Sequence, residues 1–114
     1  MNQPRLAIKQ DMPRVLELIQ ELAIFEKEPD AVEVTLSELE RDGFDDSPKF
    51  TCFVTEVNNI VEGIALVYPR YSTWKGKVLH LEDLIVSQKC RGQGLGTKLL
   101  DTVVKYGKKK GVKR

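Results

Sequence analysis

Apolar positions recur along this chain with two different periods, and the switches between them mark its elements. Leu6 and Ile8 alternate with polar neighbours from Arg5 to Lys9, which predicts a short strand. Val15, Leu18, Ile19 and Leu22 then recur at helical spacing. That helix is expected to be capped by Asp11, to carry Pro13 in its first turn and to end at Phe25 or Glu26, with Pro29 closing the region. Thr35-Leu36-Ser37-Glu38 has the form of a capping box, so a second helix begins near Leu36, with Gly43 expected as its C-terminal glycine. Phe50 to Val57 is rich in β-branched and aromatic residues and predicts a strand. Asn58-Asn59 supplies a tight turn with positive φ, and Ile60 to Tyr68 returns as the hairpin partner, stopped by Pro69. Residues 69–77 are expected to be a loop holding the only tryptophan, Trp74. Val78 to Val86 is a long strand interrupted by Glu82 and Asp83. A last helix follows on Leu99, Leu100, Val103 and Val104. Gly111 ends it, and Val112 onward is expected to begin another strand.

The order strand, helix, helix, strand, strand, strand, helix predicts an α/β domain. At 114 residues the chain has room for one such domain with a modest core. Its formal net charge is only +1, but residues 1–65 carry −8 and residues 66–114 carry +9. An acidic half attracts a cationic substrate and a basic half an anionic cofactor, although exposed faces carry charge in any case. The lysines at 105 and 108–110 lack interleaved aromatics and are placed to offset the macrodipole of the last helix, so they predict a solvated helix end and no nucleic-acid partner. No apolar run approaches the roughly 20 residues that span a bilayer, so no membrane partner is expected. Cys52 and Cys90 have no paired spacing and are read as thiols of a reducing cytoplasm. His80, the single histidine, has too few companions for a metal site, and none is expected.

The chemistry concentrates in Arg91-Gly92-Gln93-Gly94-Leu95-Gly96-Thr97, between the apolar run Leu84-Ile85-Val86 and the last helix. Glycines let a ligand approach the backbone closely, and the first amides of a helix point outward without internal partners. Together they make a cradle for phosphate or pyrophosphate. The order Thr97-Lys98 reverses that of a Walker loop, and the dinucleotide fingerprint would need a third glycine where Thr97 stands. What remains is Arg-x-x-Gly-x-Gly, carried by Arg91, Gly94 and Gly96.

That motif resembles the one with which the GNAT superfamily of N-acetyltransferases holds the pyrophosphate of acetyl-CoA. Leu22-Ala23-Ile24-Phe25-Glu26-Lys27, Asp42-Gly43-Phe44, Tyr71-Ser72-Thr73-Trp74-Lys75-Gly76 and Leu81-Glu82-Asp83 resemble, in the same order, the diamine acetyltransferases. That family holds the spermidine/spermine and thialysine enzymes, and the aromatic segments look closer to the thialysine branch. The resemblance implies a GNAT (acyl-CoA N-acyltransferase) fold, a mixed, mostly antiparallel sheet flanked by helices. It implies that residues 1–114 form the first two-thirds of a single domain whose C-terminal strands are missing from this chain. It implies acetyl-CoA as co-substrate, a small amine as partner and a homodimer. By position, Leu84, Ile85 and Val86 match the strand whose backbone faces the pantetheine arm. Arg91, Gly92, Gln93, Gly94, Leu95, Gly96 and Thr97 match the pyrophosphate cradle. Phe25 and Glu26 match a substrate-contacting pair, and Glu82 a carboxylate beside the reacting amine. Cys90 stands where the family usually has tyrosine.

The expected reaction is direct transfer of acetyl to a primary amine of a polyamine or of a lysine- or thialysine-like amino acid. Such an amine is mostly protonated at neutral pH, so a base must take its proton. Glu82 is the candidate, in a strand expected to be apolar enough to raise its pKa; pairing with a nearby cation is the plainer role. Asp83 is read as a hydrogen-bonded strand residue and His80 as a satisfied one. A backbone amide near Ile85 or Val86 polarises the thioester carbonyl. Tyr71 and Trp74 either wall a bound cation or pack against the loop or a second subunit. A non-catalytic acyl-CoA-binding or assembly module is the alternative function, because a domain cut short of its C-terminal strands is expected to have little activity on its own.

Overall fold

The alternating side chains of a central sheet decide which helix covers which face. The structure, a computed structural model, describes residues 3–111. Its elements are β1 (Arg5–Leu6), α1 (Met12–Phe25), α2 (Leu36–Phe44), β2 (Thr51–Val57), β3 (Ile60–Ser72), β4 (Gly76–Val86) and α3 (Leu95–Lys110), with short 3-10 turns at Lys9–Asp11 and Gln88–Cys90. The strands form one sheet in the order β1-β2-β3-β4, and every described pairing is antiparallel. Cys52, Val54, Ile64 and Ile85 point to one face, where Met12, Val15 and Leu18 of α1 and Leu39 of α2 pack on them. Phe53, Ala65, Val67 and Leu79 point to the other, against Leu99 and Val103 of α3. A sheet covered on both faces needs apolar residues on both, which is why β2 reads as a continuous apolar run.

Local signals explain most element ends. Thr35 N–H donates to Glu38 Oε1 at 2.9 Å and Glu38 N–H donates to Thr35 Oγ1 at 3.2 Å, the reciprocal capping box that starts α2. Asn58 and Asn59 take φ of 53° and 66° in the hairpin turn, and Gly111 takes 70° at the end of α3. The strand expected from Val112 lies outside the described residues.

Four local expectations are corrected. Asp11 makes no side-chain cap on α1. Its carboxylate turns back to accept from Ile8 N–H at 2.8 Å and from Arg5 at 2.9 Å, because the chain enters α1 through a 3-10 turn. Gly43 does not end α2, which continues through Phe44. A Cβ there would lie 2.5 Å from Phe50 Cζ, so the glycine serves close packing. Pro69 does not stop β3, which runs to Ser72. β2 pairs with β3 only as far as Val67, so on that side Pro69 needs no N–H for a ladder. The expected loop at 69–77 therefore shrinks to a turn at residues 73–75 between long strands.

Two β-bulges interrupt the ladders. In β2–β3 the register passes from Thr55↔Gly63 to Glu56↔Val61, leaving Glu62 as the extra residue. In β3–β4 it passes from Leu66↔Asp83 to Val67↔Leu81, leaving Glu82 extra. A bulge re-aims side chains that strict alternation would separate.

Candidate active site

The glycine loop is built as a strand-to-helix cradle. Gly92 and Gly94 take φ of 83° and 80°, a left-handed backbone that side chains disfavour. A Cβ on either would meet nothing within 4 Å, so the backbone stands open on this side. Gly94 is the N-cap of α3, and the first helical bond there is Lys98 N–H to Gly94 O at 3.2 Å. The first-turn amides of Leu95, Gly96 and Thr97 lie ahead of that bond, where a helix leaves its donors without internal partners. The Leu95 side chain, 1% exposed, anchors the helix start in the core. Val86, Cys90, Arg91, Gly92, Gly94, Leu95, Gly96 and Thr97 line a cavity of about 320 Å³. Gln93 is exposed and outside that lining. Arg91 donates from Nε to Val86 O at 3.3 Å. Open amides, glycines with no Cβ and a helix N-terminus fit a diphosphate.

The second half of the site lies upstream on β4. Because of the bulge, Glu82 and Asp83 line one cavity together with Glu33, Asp42, Lys49, Ile19, Leu39, Phe50 and Leu66. Its volume is about 450 Å³. Four carboxylates face one lysine there, and Lys49 is already paired with Asp45 at 3.1 Å. This acidic pocket with an apolar floor matches a cation with a hydrocarbon stem. Asp83 and Val86 are three residues apart on one strand, about 10 Å. The two cavities are therefore neighbours along β4.

The two adjacent carboxylates differ in environment. Glu82 is not buried by the apolar strand as expected: its side chain is 54% exposed, with one carboxylate oxygen 3.6 Å from His80 Nε2. Burial pushes the Asp83 carboxyl above its ordinary value, and the neighbouring Glu82 charge pushes it further. Asp83 is thus the more desolvated partner, a distinction invisible in the sequence. His80 faces Tyr68, ring centroids 5.0 Å apart, as well as Glu82. Burial drives the Cys52 thiol up to about 12, which keeps it protonated and inert.

The remaining expected residues are spread more widely. Ile85 is buried in the core and Leu84 is 40% exposed. Among the described residues, β4 pairs with a strand on only one of its edges, so part of the Leu84–Val86 backbone is left for other partners. Phe25 and Glu26 do not line the cavity that holds Glu82. Phe25 lines a separate depression with Glu17, Glu21 and Gln88, and its ring lies under the Arg91 guanidinium. Tyr71 and Trp74 stand 72% and 95% exposed at the tip of the β3–β4 hairpin. Sequence reasoning missed Glu62, which is 2% exposed and paired with both Arg14 and Lys89. A lone glutamate in an apolar strand was its only signal.

Comparison with known proteins agrees with this geometry. The model of the Acetyltransferase (GNAT) family matches residues 12–114. The human spermidine/spermine N(1)-acetyltransferase-like protein 1 is 44% identical over 97 residues, which cover 79% of this chain and 14% of that protein. The bovine thialysine N-epsilon-acetyltransferase is 38% identical over 115 residues, covering 94% of this chain and 68% of that one. A crystal structure described as a predicted acetyltransferase with acetyl-CoA, from Clostridium acetobutylicum, superposes with a TM-score of 0.78 at 19% identity, over 100% of this chain and 78% of that one, and so supports the fold. With a family model spanning nearly all of the chain and a glycine cradle between β4 and α3, the protein belongs to the acetyltransferase (GNAT) family.

Proposed function

We propose that this protein transfers the acetyl group of acetyl-CoA to a primary amine of a small cation, either a polyamine or a lysine- or thialysine-like amino acid. The carrying observation is the adjacency of an open glycine cradle and an acidic cavity along β4. Residues 91–97 would hold the pyrophosphate, and the Leu84–Val86 backbone the pantetheine arm. Acetyl-CoA supplies the acetyl group as an activated thioester. Glu82 and Asp83 attract the ammonium group, with Phe25 and Glu26 as further substrate contacts. Glu82, the more exposed carboxylate, takes the proton directly or through a water, so that a neutral amine attacks. A backbone N–H near Ile85 or Val86 polarises the carbonyl. In this reading residues 1–114 form the N-terminal two-thirds of a single domain.

The exposed Tyr71 and Trp74 support a homodimer, since large aromatics are enriched where interfaces bury them. The two free cysteines support the cytoplasm. Among the described residues no helix is long and apolar enough to cross a membrane.

The test is acetyl-CoA turnover with spermidine, lysine and thialysine, run beside calorimetric CoA binding. Amine-dependent release of CoA supports the reading. Binding without turnover on any amine would favour a non-catalytic acyl-CoA module, and absence of binding would reject the cradle assignment. Sedimentation showing a monomer at all concentrations would reject the dimer.

A further inference from the structure

We propose that Lys89 and Glu62 are positioning residues that brace the cofactor cradle, an inference that rests on the acetyl-CoA reading above. Glu62 sits at the β3 bulge with its side chain 2% exposed. One carboxylate oxygen accepts from Arg14 Nη2 of α1 at 2.7 Å, and the other from Lys89 Nζ at 3.1 Å. Arg14 Nε also donates to Val61 O at 2.8 Å, which ties the pair to the backbone of β3. Two further bonds hold the same turn: Ser87 N–H to Glu62 O at 2.8 Å and Gln88 N–H to Glu21 Oε1 at 3.1 Å. Residues 87–89 are therefore fixed to β3 and α1 immediately before the glycine loop.

Past Arg91, which is held by Val86 O and the Phe25 ring, the stretch from Gly92 to Gly94 has little of its own to hold it. Gly92 and Gly94 have no Cβ and no neighbour in the space where one would stand. Its geometry depends on its two ends, the braced turn and the buried Leu95. A glycine-rich loop ordered only on ligand binding loses affinity to its own entropy, and fixed ends reduce that loss. Burial alone would push the Glu62 carboxyl up, but hydrogen bonds from Lys89 and Arg14 outweigh it and hold the group below its ordinary value. It is therefore a charged anchor. A buried ion pair contributes little net stability compared with well-packed apolar groups. The position of this pair, directly ahead of the cradle, gives it a geometric role instead.

Lys89 could alternatively serve the anion itself, and the sign of one mutation separates the two roles. Glu62→Gln weakens the hold on Lys89. A brace then loosens the cradle, whereas an anion ligand is released toward the diphosphate. The experiment measures CoA affinity by calorimetry, amide exchange of residues 91–97 without ligand, and melting temperature, in the full chain. Lys89 is mostly exposed, so Lys89→Ala leaves the fold intact, with a melting shift within about 2 °C. We expect it to weaken CoA binding about fivefold, the net scale of one ordinary hydrogen bond because the effect reaches the ligand only through the loop, and to speed exchange in the loop. Lys89→Arg restores affinity to within about twofold of wild type, because it keeps the charge and reach. Glu62→Gln weakens CoA binding as well. Wild-type affinity and exchange in Lys89→Ala overturn the brace, as does tighter CoA binding by a folded Glu62→Gln. A wild-type chain that binds no CoA overturns the acetyl-CoA reading and the brace with it.

Discussion

The guanidinium of Arg91 lies over the ring of Phe25, 5.1 Å from its centroid. This contact joins the last residue of α1 to the first residue of the glycine cradle. By resemblance Phe25 is a substrate contact, but its neighbour in the structure is Arg91 of the glycine loop, the proposed cofactor site. An exposed cation–π pair contributes about 0.5–1 kcal/mol. Phe25→Ala should therefore weaken CoA binding by about two- to fivefold. A raised KM for the amine with unchanged CoA affinity would return Phe25 to the substrate site alone.

Asp83→Asn should change stability in a pH-dependent way. Burial raises the folded-state pKa of Asp83 above its ordinary 3.8, with Glu82 adding to the shift. The folded protein then holds this proton more tightly than the unfolded chain does. Ionised Asp83 costs stability at neutral pH, and that cost vanishes as pH falls below the unfolded value. The asparagine variant should be the more stable protein at pH 7, with the difference closing near pH 3.5, about the unfolded range. Denaturant midpoints at the two pH values give the comparison. A variant less stable than wild type at pH 7 would mean that Asp83 is stabilised by a bond to its surroundings rather than strained by them.

How much of this was legible beforehand depends on whether the signal was local. The Thr35–Glu38 capping box, the Asn58-Asn59 turn and the left-handed backbone at Gly92 and Gly94 involve residues adjacent in sequence, and each is legible from local residue type. Gly43 was misread because its constraint is Phe50, which approaches from outside the helix. Pro69 was misread because tolerance of proline depends on where the neighbouring strand ends. The bulges at Glu62 and Glu82 belong to the pairing of two strands, so neither strand's own pattern contains them. They decide the candidate site all the same. One places Glu82 and Asp83 in a single cavity, and the other turns Glu62 toward Arg14 and Lys89.

Glu82→Gln tests the assignment of the base. The substitution keeps shape and hydrogen-bonding capacity but removes basicity. General base catalysis is typically a factor of about 10²–10⁴, so kcat should fall within that range. The acid limb of the kcat/KM profile, where the base must lose its proton, should flatten. CoA affinity should hold, because Glu82 lies outside the cradle lining. Wild-type kcat with an unchanged profile would shift the role to another group, with Asp83 the neighbour in the same cavity.

Gly94 offers the most direct test of the cradle, provided that backbone strain is separated from charge. Its φ of 80° is left-handed, and any side chain there is strained. Asparagine and aspartate are nearly the same size, and both tolerate this region better than other residues. Both would project into the open space beside the first-turn amides. Gly94→Asn therefore reports strain and bulk, and Gly94→Asp adds one negative charge where the diphosphate is proposed to sit. At an effective dielectric constant near 20 and about 4 Å, two unit charges interact by about 4 kcal/mol, and solvent access to the open loop reduces this. A residual penalty of about 1.4–2.8 kcal/mol corresponds to about 10- to 100-fold weaker binding. Calorimetry should thus find CoA binding by the aspartate variant weaker than by the asparagine variant by that factor, with the gap narrowing as salt is raised. Equal affinity for the two variants would show that no anion binds at the N-terminus of α3, and the cradle assignment would fall with it.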